Sequence, residues 1–262
     1  MIETTRPELV AYQEERLAKF VNENQKLDKG QIVFAGDSIT EFFALKKYLG
    51  RDFPLVNRGI AGTDSVWLLE HLKEQVLDLE PSKLVLLIGI NDIGRGYPIR
   101  DIVNRISDII MTVRQESLFT EVYLLSVFPV SEKSQYASKV KIRNNATVRE
   151  LNQQLAVLPG VTYVDLYDYL TDAQEQLNDT YTTDGLHLSP QGYQVLAEPI
   201  KSTSLLGSKS KTCSLRCSKS QTESVPAIPR FTKGKSRPKY FFNAKNSVME
   251  SPAKTIWPLS NF

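Results

Sequence analysis

A chain of 262 residues, 24% charged and 41% hydrophobic, has the composition of a soluble globular protein and the length to bury one large core or two smaller ones. No apolar run approaches the roughly 18 residues needed to span a bilayer. The stretch 1–29 is dense in Glu, Lys, Arg and Gln and lacks an apolar segment followed by a small-residue cleavage site, so no secretory signal is read and the expected location is the cytoplasm.

Residues 7–27 repeat Leu9, Tyr12, Leu17, Phe20, Val21 and Leu27 at helical spacing, which predicts an amphipathic helix. Gln31–Gly36 and Pro54–Gly59 read as short strands separated by a short helix. A helix starting near Thr63 or Asp64 would present Val66, Leu69, Leu72 and Val76. Lys83–Gly89 is a nearly continuous apolar run, the pattern of a central parallel strand covered on both faces. A helix follows over Pro98–Leu118, then a strand over Glu121–Val127, a polar loop over Pro129–Val140 and a helix over Ile142–Leu158. A fifth strand is read at Val161–Asp165 and a last helix at Pro190–Leu206. Five strand–helix alternations predict an α/β fold of three layers, α/β/α, around a five-stranded parallel sheet. In such sheets ligands bind beyond the carboxyl ends of the strands.

Residues suited to chemistry fall at those ends. Strand one runs into Gly36-Asp37-Ser38; a Ser at the start of a helix lies where backbone N–H groups favour negative charge, although Ser and Asp there also serve as plain caps. Strand two runs into Asn57-Arg-Gly-Ile-Ala-Gly62, either a simple strand-to-helix turn or a turn whose Gly62 N–H shares an oxyanion with that of Ser38. Strand three runs into Gly89-Ile-Asn91-Asp92, where Asn91 can close a turn or donate its amide to an oxyanion. Asp184-Gly-Leu-His187, ahead of Ser189-Pro190, allows a carboxylate to hold one ring nitrogen while the other faces a nucleophile, in the order Ser, Asp, His. The second histidine, His71, sits among Leu68, Leu69 and Leu72 and reads as structural, leaving His187 as the candidate general base.

These four blocks, in this order and spacing over residues 30–200, resemble those of the SGNH (GDSL-like) hydrolases. Within them the chain is similar to bacterial esterases related to the catalytic subunits of platelet-activating-factor acetylhydrolase, with Asn57–Gly62 and Asp184–Tyr193 as the supporting stretches. The resemblance implies a flavodoxin-like fold and a serine esterase that forms an acyl-enzyme. Ser38 would be its nucleophile, His187 the general base and Asp184 the residue orienting His187. The Ser38 N–H, the Gly62 N–H and the Asn91 amide would form the oxyanion hole. It implies no metal and no cofactor. Where many members read Ser-Leu this chain reads Ser38-Ile39, which keeps the apolar character.

The resemblance ends near Leu206. The net charge of +2 conceals a break there: residues 207–262 carry eleven Lys and Arg against Glu223 and Glu250, a net of +9, which leaves residues 1–206 at −7. A hydrolase domain is therefore expected over 1–206 and a basic, disordered tail over 207–262. The tail reads either as a solvated appendage, the preferred reading, or as a binder of nucleic acid or anionic membrane. Cys213 and Cys217 make neither a disulfide framework nor a complete zinc site. The expected partner is a small acylated substrate (a lipid, glycan or other small ester) with no nucleic acid; a homo-oligomer stays open. Short esters, acetyl foremost, are the expected substrates. A lysophospholipase or thioesterase is the alternative within the class, with Phe42, Phe43 and Trp67 either lining an acyl trough or belonging to the core. A non-catalytic binding protein, acting through the tail, is the alternative outside it; neither a P-loop nor a G-x-G-x-x-G after a strand appears.

Overall fold

The computed structural model describes residues 2–4 and 6–206. The basic segment 207–262, with Cys213 and Cys217 and every expectation attached to it, lies outside the described residues.

Five strands, β1 (Ile32–Gly36), β2 (Leu55–Gly59), β3 (Lys83–Leu87), β4 (Glu121–Leu125) and β5 (Thr162–Val164), form one parallel sheet in the order β2-β1-β3-β4-β5. The apolar runs of β1 and β3 are buried on both faces, as their composition requires. The chain turns from β1 outward to β2, then crosses back to β3 on the other side, so the crevice between the carboxyl ends of β1 and β3 is the topological switch point. Register matters here. Gly36 stands opposite Gly59 on one side and Leu87 on the other, so the chain leaves three adjacent strands at one level. The loops carrying Ser38, Gly62 and Asn91 are thereby neighbours.

On one face the segment joining β1 to β2 packs against the helix Pro190–Ser202, with Phe43 stacked on Tyr193 at 5.0 Å. The helices Ser65–Glu70, Ile99–Glu116 and Asn145–Leu155 pack in succession as the other helical layer. Ile102, Ile106, Ile109, Ile110 and Val113 of the second, spaced by three and four, are buried as the sequence predicts. No helix among the described residues is long and apolar enough to cross a membrane.

Several expectations change. The helix Pro7–Asn24 buries Gln13, Phe20 and Asn24 and exposes Tyr12 and Val21, because its inner face meets backbone. Gln13 donates to the Ala61 carbonyl at 3.0 Å and Arg16 to that of Gly59 at 2.9 Å, satisfying acceptors that the loop after β2 cannot pair by itself. The helix after Asp64 breaks at His71 into Ser65–Glu70 and Leu72–Gln75; of the expected inward residues Leu72 and Val76 are buried and Leu69 packs partly buried against the core, while Ser65 and Leu68, not Val66, are the buried positions of the first piece. The His71 ring lies tilted against that of Trp67, their centroids 4.2 Å apart. The stretch Pro129–Val140 is not a plain polar loop: Val130 is buried, and Ser131 N–H donates to the Gly185 carbonyl at 2.8 Å. The expected helix over Ile142–Leu158 covers only Asn145–Leu155, capped by Asn144, and the last helix ends at Ser202, before a separate 3₁₀ turn at Ser204–Leu206.

Candidate active site

Ser38 is the first residue of a single helical turn, Ser38–Glu41, at the end of β1. Asp37 caps that turn by accepting from the Ile39 N–H at 2.9 Å, so the capping reading of the pair holds for Asp37, while the Ser38 hydroxyl turns elsewhere. Its Oγ lies 2.9 Å from His187 Nε2, across 149 residues of sequence.

His187 is set by the loop 182–187. Asp184 Oδ1 accepts from the backbone N–H groups of Leu186 (3.1 Å) and His187 (2.7 Å), and Oδ2 pairs with His187 Nδ1 at 2.7 Å. Thr182 Oγ1 closes the loop, accepting from the Gly185 N–H and donating to the His187 carbonyl, each at 2.8 Å. An ionised carboxylate only accepts, so it selects the tautomer with the proton on Nδ1 and leaves the Nε2 lone pair facing Ser38. Partial burial works to raise the Asp184 pKa, but hydrogen bonds from the His187 ring and from the His187 and Leu186 N–H groups hold it well below the ordinary carboxylate range. Lys139 Nζ, 3.6 Å from Oδ2, adds a cation on the same side.

Opposite lie the other two candidates. Gly62 has φ +75°, a left-handed conformation that glycine adopts without strain, and it packs against the Leu9 side chain. The flanking turn is held by Glu41, which accepts from the Ala61 N–H at 2.6 Å, and by Arg95, which donates to the Gly62 carbonyl at 2.8 Å. Asn91 donates from Nδ2 to the Thr63 carbonyl at 2.9 Å, and its Oδ1 accepts from Arg143 Nη2 at 2.9 Å. Among the described residues no acceptor pairs with the Ser38 or the Gly62 N–H. Ser38, His187, Gly62 and Asn91 all line one cavity of about 290 Å³, with Leu9, Phe42 and Leu186 as apolar wall. Phe42 is 51% exposed and lies 5.5 Å from the His187 ring. Phe43 belongs to the core, and Trp67 lines a separate cavity with Tyr97. All five residues singled out in the sequence are thus brought together. Sequence reasoning missed Glu3, Gln13, Lys139, Arg143 and Thr182, whose importance comes from contacts with distant backbone or side chains and leaves no local pattern.

Asp37 is an unusual neighbour. It is fully buried, and its Oδ2 has no hydrogen-bond partner among the described residues. Burial pushes its pKa up to about 6 from 3.8, against the opposing Ile39 N–H and the His187 ring. Between those two values the folded chain keeps a proton that the unfolded chain releases, so Asp37 makes stability fall as pH rises from about 4 to about 6 and holds it lower above that. Asp37→Asn keeps an acceptor for Ile39 and removes the charge. It should stabilise the fold at pH 7.5 by on the order of 1–3 kcal/mol, read as a higher thermal midpoint, and have little effect at pH 4. Equal shifts at both pH values would contradict this account.

Its likeness to known proteins makes the chain a hydrolase that acts on ester bonds. The model of the GDSL-like Lipase/Acylhydrolase family matches residues 34–195, and the chain belongs to that family. It is 38% identical to a Streptococcus pneumonia protein described provisionally as a platelet activating factor. That structure superposes with a TM-score of 0.70, covering 74% of this chain and 92% of the other. Over 172 residues the chain is 28% identical to the N-acylneuraminate cytidylyltransferase of Escherichia coli, covering 64% of this chain but only 39% of that enzyme. It is also 29% identical over 203 residues to a GDSL esterase/lipase of Arabidopsis thaliana, covering 65% of this chain and 77% of the relative.

Proposed function

We propose that this family member is a serine esterase that cleaves short-chain esters, acetyl esters foremost, through a Ser38–His187–Asp184 triad and an acyl-enzyme intermediate. The observation that carries the reading is the unbroken hydrogen-bond chain Ser38 Oγ–His187 Nε2–His187 Nδ1–Asp184 Oδ2, at 2.9 and 2.7 Å, opening on one cavity with Gly62 and Asn91. Ser38 Oγ attacks the ester carbonyl as His187 Nε2 takes its proton, and Asp184 stabilises the imidazolium. The carbonyl oxygen, now an oxyanion, is met by the N–H groups of Ser38 and Gly62 and by the second N–H of the Asn91 amide, donors already in place before reaction. The intermediate collapses as His187 returns its proton to the leaving alcohol, which leaves the acyl group on Ser38. Water then attacks that ester with His187 again as base, releasing the carboxylic acid and the free serine.

Preference for short acyl groups rests on the small cavity walled by Leu9, Phe42 and Leu186. One observation favours the longer-chain, lysophospholipase-like reading: Phe42 is half exposed beside His187, where an extended acyl chain could lie along it. A panel of p-nitrophenyl esters of rising chain length separates the two. The short-chain reading expects kcat/KM to be highest at acetyl or propionyl and to fall at least about tenfold by octanoyl, a difference of roughly 1.4 kcal/mol in transition-state binding. A maximum at octanoyl or beyond would replace it, and no hydrolysis of any member would remove the esterase reading of this site.

A further inference from the structure

Arg143 belongs to none of the four sequence blocks, yet its side chain is 0% exposed and reaches the candidate oxyanion hole. It lies just before the helix Asn145–Leu155. Nε donates to the Ile90 carbonyl at 2.9 Å, and Nη2 donates to Asn91 Oδ1 at 2.9 Å and to the Glu3 carboxylate. Lys141 pairs with the other oxygen of Glu3 at 2.9 Å. The guanidinium lies directly against Gly94, where a Cβ would stand 2.3 Å from Cζ and from Nη2. The fork is therefore fixed in place along residues 90 and 91.

This matters because an asparagine amide has two ends of nearly equal shape and opposite hydrogen-bonding character. Turned over, Asn91 would offer an oxygen where an N–H is needed and would repel an oxyanion. A guanidinium only donates, so Arg143 admits only Oδ1; the Thr63 carbonyl only accepts, so it admits only Nδ2. Between them the amide plane is determined and its second N–H is left for the cavity. Donation into Oδ1 also polarises the amide and strengthens that N–H as a donor. Thr63 alone leaves the oxygen without a buried partner and lets the amide swing.

We propose that Arg143 is a positioning residue for ester hydrolysis: its fork holds the Asn91 amide in the one orientation that aims an N–H at the oxyanion. The inference rests on the reading of Asn91 as an oxyanion donor, and the test separates the two.

Four variants are compared with wild type on p-nitrophenyl acetate, with kcat, KM and thermal midpoint taken from the same preparations: Asn91→Ala, Arg143→Lys, Gly94→Ala and the double variant Arg143→Lys/Asn91→Ala. Gly94→Ala leaves Arg143 and its charge intact and uses the new methyl to displace the guanidinium, the far end of a flexible side chain. Arg143→Lys keeps the charge and removes the fork. Loss of the Asn91 donor should lower kcat by about 10²–10³-fold. Each positioning variant should lower kcat by about tenfold or more with KM within about threefold, since mis-aiming acts on the transition state and not on ground-state binding. The double variant should fall no more than about twofold below Asn91→Ala, because a residue that acts through Asn91 has nothing left to position. A folded Gly94→Ala enzyme with wild-type kcat overturns the inference whatever Arg143→Lys does, and so do losses that multiply in the double variant. An Asn91→Ala enzyme with unchanged kcat overturns the underlying reading of Asn91 instead.

Discussion

Replacing Ser38 by alanine is expected to lower kcat on a soluble ester by about 10⁴–10⁶-fold while leaving the fold in place. Among the described residues the hydroxyl pairs with His187 Nε2, and that contact serves the proposed chemistry and not the packing. The helical turn is capped by Asp37, so its cap survives the change, and the Ser38 N–H remains available to an oxyanion because it belongs to the backbone. Alanine at a buried position beside a cavity removes one oxygen and adds no bulk. The thermal midpoint should therefore stay within a few degrees of wild type, and the residual rate should be that of the donors acting on a water molecule. Single-preparation measurements of kcat and thermal midpoint check both halves. A folded alanine variant with more than about one hundredth of the wild-type kcat would remove Ser38 as nucleophile, since loss of a true nucleophile costs far more than that.

Asp184→Asn should produce the second large loss, about 10⁴-fold in kcat, through the state of His187 and not through the loop. Asparagine can keep an oxygen at the Oδ1 position, where it still accepts from the Leu186 and His187 N–H groups. At the Oδ2 position it now places an N–H₂ against His187 Nδ1. Two donors cannot face each other, so the imidazole takes the tautomer with its proton on Nε2, which cannot accept the Ser38 proton. Loss of the charge also leaves the imidazolium of the transition state without its counter-ion. In the native enzyme that counter-ion stays ionised far into the acid range, because the His187 hydrogen bonds outweigh the effect of burial on Asp184. Asp184→Ala is the control: it loses the loop contacts too and should show a lowered thermal midpoint that Asp184→Asn lacks. If Asp184→Asn keeps its kcat within about tenfold of wild type, the orienting role is wrong, because the tautomer argument allows no such activity.

The parts of this protein that were legible in the sequence are those fixed by short-range requirements. Nearly continuous apolar runs such as that of Lys83–Leu87 demand burial on both faces, so a parallel sheet follows from the pattern. Ser38, Gly62 and Asn91 each sit just past a strand, and each has a local backbone reason to be there: a helix start, a left-handed turn, a turn after Gly89. Asp184 and His187 are three apart, so one loop can pair them. Tertiary structure decided what depends on contacts between distant residues. The β1–β3 adjacency and the common register of Gly36 with Gly59 and Leu87 put the loops side by side, and the approach of Ser38 to His187 bridges 149 residues. A short helix has no rotational reference in its own sequence, which is why Leu68 is buried more deeply than Leu69, and why Phe43 enters the core while Phe42 stands beside His187. Gln13, Arg16 and Arg143 are polar, a chemistry that by itself favours solvent. Each instead meets backbone carbonyls of a distant loop, and Arg143 the Asn91 amide as well; burying those groups requires a partner that no local pattern announces.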